Sequence, residues 1–133
     1  MVFMNKSEKK EFYFEYLSKE GFKPSLDDDG DINFKHEGRW LYLIFGDEHE
    51  NFLQIVAPYV FDVDEKNETD ALKACSAINM QYMVTKAFVA KESVFMTIEM
   101  FLNNAEDLKG IFYDCLGSLN YAIKDLLEKV EKS

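Results

Sequence analysis

The apolar residues between Leu108 and Val130 fall on one stripe of a helix. Leu108, Ile111, Phe112, Cys115, Leu116, Leu119, Ala122, Ile123, Leu126, Leu127 and Val130 recur at helical spacing, because successive residues turn by about 100° around the axis. A helix with so wide an apolar face must bury it against another element, and the natural surface is a sheet. Asn104 stands where a cap belongs, so the pattern predicts a last helix from Asn104 to about Val130. Its opposite side carries Gly110, Tyr113, Gly117 and Tyr121, where Lys and Glu are usual. Each glycine costs the helix about 1 kcal/mol relative to alanine. Glycine admits a close backbone and tyrosine is favoured at interfaces. These four residues form the candidate protein-contact face, for a second copy or a foreign partner.

The residues before that helix supply the strands. Ser7 is a possible cap for a first helix to about Glu20, with Phe12, Tyr13, Tyr16 and Leu17 on one side and Gly21 at its end. Phe22 to Leu26, interrupted by Pro24, reads as an edge strand. Asp31 to Glu37 alternates, with Ile32 and Phe34 on the buried side. WLYLIF, residues 40–45, is apolar throughout and fits a central strand covered on both faces, which makes Trp40 a core residue. Phe52 to Phe61 is strand-like but disturbed by Pro58. Asn67 starts a middle helix, with Asp70 placed to complete a capping box and Leu72, Cys75, Ile78, Asn79 and Tyr82 at helical spacing. Thr85–Ala90 and Ser93–Leu102 form a hairpin around Lys91 and Glu92. The expected fold is α+β, an antiparallel sheet with helices in the order α-β-β-β-(β)-α-β-β-α. At 133 residues the chain is expected to make a single domain, residues 1–133.

LDDDGDINFKHEG, residues 26–38, resembles part of a calcium-binding loop. Setting Gly30 at the sixth position places Ser25, Asp27 and Asp29 at the first, third and fifth. The twelfth position, which needs a bidentate carboxylate, is His36; Glu37 lies one residue too far on. Strand patterns flank the segment instead of helices. Asp29-Gly30 reads better as a type I′ hairpin turn whose neighbouring acids are solvated. Glu37-Gly38 is a second turn, so the segment becomes a three-stranded meander.

No other chemistry is legible. His36 and His49 have no other His or Cys near them in sequence, as a zinc site needs. The chain contains no nucleophile elbow, phosphate-binding loop, dinucleotide fingerprint or paired-histidine metalloprotease motif. Catalytic residues, cofactors and metals are therefore expected to be none. Cys75 and Cys115 sit in helical apolar patterns and read as buried thiols in a reducing compartment. The net charge of −10 disfavours nucleic acid and anionic membrane surfaces. No apolar run has the length of a signal peptide or a membrane span, so the expected location is the cytoplasm.

The pattern resembles a known family. DDDGDINFKHEGRWLYLIF and ALKACSAINMQYMVTKAFVAKESVFMTIEMFL, with the pieces DGDI-x-F-x-x-EG and the Ile78-Asn79 pair, are similar to YbjN-like proteins, described as bacterial sensory transduction regulators. These share the type III secretion chaperone-like fold. The resemblance implies a non-enzymatic protein-binding module, a cytoplasmic regulator or chaperone-like adaptor that forms a homodimer and holds extended segments of protein partners. The alternative is a small-molecule-binding regulator with a pocket between helix and sheet.

Overall fold

The computed structural model describes residues 4–47 and 49–131. Three α-helices, α1 (Lys6–Lys19), α2 (Glu68–Gln81) and α3 (Leu108–Glu131), accompany six strands: β1 (Ser25–Leu26), β2 (Ile32–His36), β3 (Arg39–Phe45), β4 (Phe52–Asp62), β5 (Thr85–Ala90) and β6 (Ser93–Phe101). The strands are hydrogen-bonded in the order β1-β2-β3-β4-β6-β5, and the fold is the expected α+β class. The chain gathers into two compact units, one of Met1–Val56 with Met100–Ile111, the other of Ala57–Glu99 with Phe112–Ser133.

In the first unit α1 begins at Asn5, not at Ser7. The Asn5 side chain accepts from the Glu8 N–H at 2.8 Å, and Glu8 Oε1 accepts from the Asn5 N–H at 3.3 Å. Asn5 wins because glutamate stands three residues after it and completes the box. Tyr13 and Leu17 are the buried face of the helix, and the Tyr13 ring meets Phe45 of β3 edge-on at 5.0 Å. The meander forms, with β1, β2 and β3 antiparallel, but its edge strand is Ser25–Leu26 and not Phe22–Leu26, because Lys23 takes a positive φ before Pro24. Glu37 and Gly38 both take positive φ, the signature of the I′ turn. At the first turn only Gly30 does, so this is a longer loop and not the expected I′ pair.

Strand β3 departs from the sequence reading. Leu41, Leu43 and Phe45 are buried, while Tyr42 and Ile44 are half-buried and Trp40 is 51% exposed. An apolar run cannot separate a doubly covered strand from one whose open face carries large amphipathic rings. Lys35, the cross-strand partner of Trp40, sets its ammonium 5.7 Å from the indole. Trp40→Ala should therefore cost only about 0.5–1 kcal/mol, the scale of an exposed cation–π contact, and a urea melt should show a midpoint close to the parent's.

In the second unit the disturbance at Pro58 is a change of parity. Ala57 is buried, Tyr59 takes φ +52°, and Val60 and Val63 face inward next. One skipped residue is the mark of a bulge. Helix α2 starts after Asn67, but the capping box with Asp70 does not form. The Asn67 side chain turns back to the Asp64 N–H and the Asp62 carbonyl. Hairpin β5–β6 has Lys91 and Glu92 at its turn, both at positive φ. Asn104 gives no side-chain cap; a 3-10 turn, Ala105–Asp107, leads into α3. The apolar stripe of α3 is buried throughout, except that Ile111 and Leu127 are half-buried.

Candidate functional site

Strand β5 ends the sheet, so one of its edges has no neighbouring strand. The two-residue turn fixes which backbone groups face that edge. Ala90 and Ser93 flank the turn, and hydrogen-bonded and open pairs alternate from there. Ala87, opposite Met96, is an open pair, so its N–H and C=O point outward. Asn79, near the end of α2, takes both. Its Oδ1 accepts from the Ala87 N–H at 2.7 Å and its Nδ2 donates to the Ala87 carbonyl at 3.0 Å. Asn79 is itself exposed. Thr85 and Val89 share the parity of Ala87. The Thr85 N–H is turned to the Met83 carbonyl at 2.7 Å, which leaves Val89 as the outward pair beyond the asparagine.

The loop that leads into this edge is apolar and strained. Met83 is 87% exposed, as is Met80 at 86% in the last turn of α2, and Val84 is exposed at φ +57°. The Thr85-to-Met83 bond spans two residues around Val84, which makes the tip a γ-turn of the rare strained kind. Tyr82 fixes it from behind by donating its hydroxyl hydrogen to Asp125 of α3 at 3.1 Å. Burial and the carboxylates of Asp125 and Glu128 raise the Tyr82 pKa, so the phenol keeps the proton it donates. A β-branched residue in the left-handed region costs about 1–2 kcal/mol. Val84→Gly should raise stability by about 0.5–1 kcal/mol after the glycine entropy is offset, read as a higher urea midpoint.

The face named from the sequence lies along α3. Gly110 is exposed, Tyr113 is 51% and Tyr121 68% exposed, and Gly117 is half-buried. A methyl group added at either glycine would meet nothing within 4 Å. Sequence reasoning pointed to this helix and did not consider the edge of β5. The signal was there in part, since Asn79 belongs to the Ile78-Asn79 pair, but nothing in one dimension sets an asparagine against an alanine eight residues on.

The acidic turn is more ordered than a solvated one. Asp27 Oδ1 accepts from the N–H groups of Asp29 and Asp31 at 3.0 and 2.8 Å. Carboxylate oxygens of Asp27, Asp29 and Asp31 lie within 4.8 Å of one another. Burial raises the Asp31 pKa, helped by Asp27 and Asp29 and opposed by Lys6 and Lys10. His36 packs near Phe22, with ring centroids 6.1 Å apart, and His49 is exposed. Cys75 and Cys115 are buried free thiols, as read; burial lifts Cys75 to about 11 and raises Cys115. Neither forms a thiolate nucleophile near neutral pH.

In the first unit a cleft of about 530 Å³ is walled by Phe12, Tyr13, Phe52 and Leu102, with Lys9 and Asp107 among its polar groups. Burial and the Asp107 charge push the Tyr13 phenol up to about 12. The Lys9 ammonium donates to three carbonyl oxygens, those of Gly46, Asp47 and Glu50, at 3.2, 2.7 and 3.1 Å. Its donors are spent on the loop it holds.

Residues 16–109 match the model of a family described as T3SS (YopN, CesT) and YbjN peptide-binding chaperone 1. The crystal structure of YbjN from E. coli superposes with a TM-score of 0.68 at 13% identity, covering 86% of this chain and 87% of that one. No curated protein matches the sequence. At that identity the structural likeness speaks for the fold. No helix among the described residues is long and apolar enough to cross a membrane.

Proposed function

Since this chain belongs to the family of T3SS (YopN, CesT) and YbjN peptide-binding chaperones, we propose that it is a non-catalytic module that holds an extended segment of a partner protein along the outer edge of β5. The observation that carries this reading is the Ala87 pair. A strand edge with no neighbouring strand recruits another chain, and here the outward groups of Ala87 are held by an exposed side-chain amide. Adding a strand from a partner satisfies the same groups through main-chain bonds, which give affinity for many sequences. Met80 and Met83 lie at the entrance to the edge, and methionine adapts to partners of varied shape. The chain then serves as one functional domain in the cytoplasm, where two buried thiols stay reduced.

A small-molecule role fits less well. The ammonium on the wall of the cleft is already engaged by three carbonyls, and the Tyr13 phenol is held protonated.

Heptapeptides selected from a random phage-displayed library on the intact chain provide the test. Their binding should slow amide hydrogen exchange at Ala87 and Val89. Binding that leaves the exchange of β5 unchanged would refute the edge as the site.

Homodimerisation through Gly110, Tyr113, Gly117 and Tyr121 accompanies this reading, supported by the two exposed tyrosines. In a two-fold dimer each substituted charge meets its own copy. Tyr113→Lys with Tyr121→Lys should turn a dimer into a monomer in light scattering coupled to size exclusion. A monomeric parent, or a dimer that survives both changes, would exclude this face as the interface.

A further inference from the structure

We infer that the segment which docks on β5 displaces the Asn79 amide from Ala87 and sets an aromatic side chain against Phe88; this rests on the β5-edge reading above. Two independent observations identify such an occupant.

The first is the asparagine. Its side chain carries the carbonyl acceptor and N–H donor of a peptide unit, and it meets both outward groups of Ala87 at ladder distances, 2.7 and 3.0 Å. Asn79 therefore occupies the place of a strand that is not there. It sits on an exposed position of α2, so water can take its bonds when it is released. An incoming strand replaces two bonds and adds those at Val89, which faces outward by the same parity.

The second is a row of rings on the other face of the same strands. Tyr59 of β4 meets Phe95 of β6 at 4.9 Å, and Phe95 stacks on Phe88 of β5 at 5.9 Å with the planes 22° apart. Phe88 and Phe95 are cross-strand partners. The row crosses three strands and stops at the sheet edge, with Phe88 half-buried. A strand added to β5 lies about 4.8 Å further out, so its residue opposite Phe88 stands where Phe95 stands on the inner side. An aromatic there continues the row, and cross-strand aromatic pairs are among the more favourable. Tyr59, the first ring of the row, takes φ +52°. Lys86 already sets its ammonium 5.3 Å from the Phe88 ring, so the incoming aromatic meets a ring that also faces a cation.

The test uses the same library selection on the intact chain. Selected heptapeptides should share one Phe, Tyr or Trp. Replacing that aromatic by serine in a fluorophore-labelled synthetic copy should weaken binding by about tenfold in anisotropy titrations, the scale of one buried ring contact. Asn79→Ala should bind the same peptide about threefold to tenfold more tightly, because nothing then competes for Ala87. Asn79→Asp keeps the acceptor and loses the donor, so it should fall between the two; urea melts establish that each variant is folded. Peptides that protect Ala87 and Val89 yet show no aromatic preference would overturn this inference and leave the edge reading standing. So would an Asn79→Ala variant that binds no better than the parent. Peptides that leave β5 exchange unchanged, or a library that yields no binder, would overturn both.

Discussion

Phe112→Ala should lower the stability of the chain by about 3–5 kcal/mol, the usual cost of deleting a large buried aromatic. Phe112 is 0% exposed and sits on the buried stripe of α3. Its ring is packed edge-on at 5.7 Å against Tyr113, which stays half outside. A domain of this size has a total stability of about 5–15 kcal/mol, so the variant should be partly unfolded at moderate temperature. Leu116 and Leu119, at 2% and 1% exposure, lie one and two turns further along the stripe; alanine at either should cost about 2–5 kcal/mol. Urea melts followed by far-ultraviolet circular dichroism measure all three. A Phe112→Ala curve that overlays the parent would mean that α3 does not depend on its stripe.

Lys9→Met should cost about 1.5–3 kcal/mol and loosen the segment that follows β3. The long apolar stem is kept, so the change isolates the ammonium. That ammonium holds the carbonyls of Gly46, Asp47 and Glu50 together, and hydrogen bonds to a charged group are worth more than neutral ones. The turn around it is tight: a methyl group on Gly46 would come within 2.9 Å of the Glu50 carbonyl oxygen. Amide exchange at Glu50 should accelerate in the variant, since its N–H is bonded to the Asp47 carbonyl inside the same turn. Unchanged exchange would show that the turn holds itself.

The elements whose pattern is local were legible in the sequence. The α3 stripe, the β5–β6 hairpin and the meander follow from spacing and turn residues, and each forms close to the expected limits. The family resemblance agrees with the match over residues 16–109. The misreadings arose where two local solutions compete. Asn5 and Ser7 both look like caps; Asp70 offers Asn67 a box that loses to Asp64 and Asp62. Trp40 looked buried because hydropathy does not say which face of a strand is covered. The Ala87–Asn79 contact was out of reach for a different reason. It depends on which strand closes the sheet, and strand order is not written in periodicity. The named face on α3 was read from what is unusual for an exposed helix side, a signal that says nothing about a strand edge.

The turn Lys91-Glu92, with both residues in the left-handed region, also bears on the order of folding events. Hairpins β2–β3 and β5–β6 each close over a two-residue turn, and closures this short form within microseconds. The bonds that flank the two ends of β4 and β6 are of another kind. Leu102 donates to the Asn51 carbonyl and Val63 to that of Glu92, and the whole of α2 and β5 lies within each loop they close. The entropy of that closure must be spent before any of its contacts form. Folding of this chain is therefore expected to wait on β4 meeting β6, with both hairpins already in place, and mutations along that seam should slow folding where mutations at the outer strands mainly hasten unfolding.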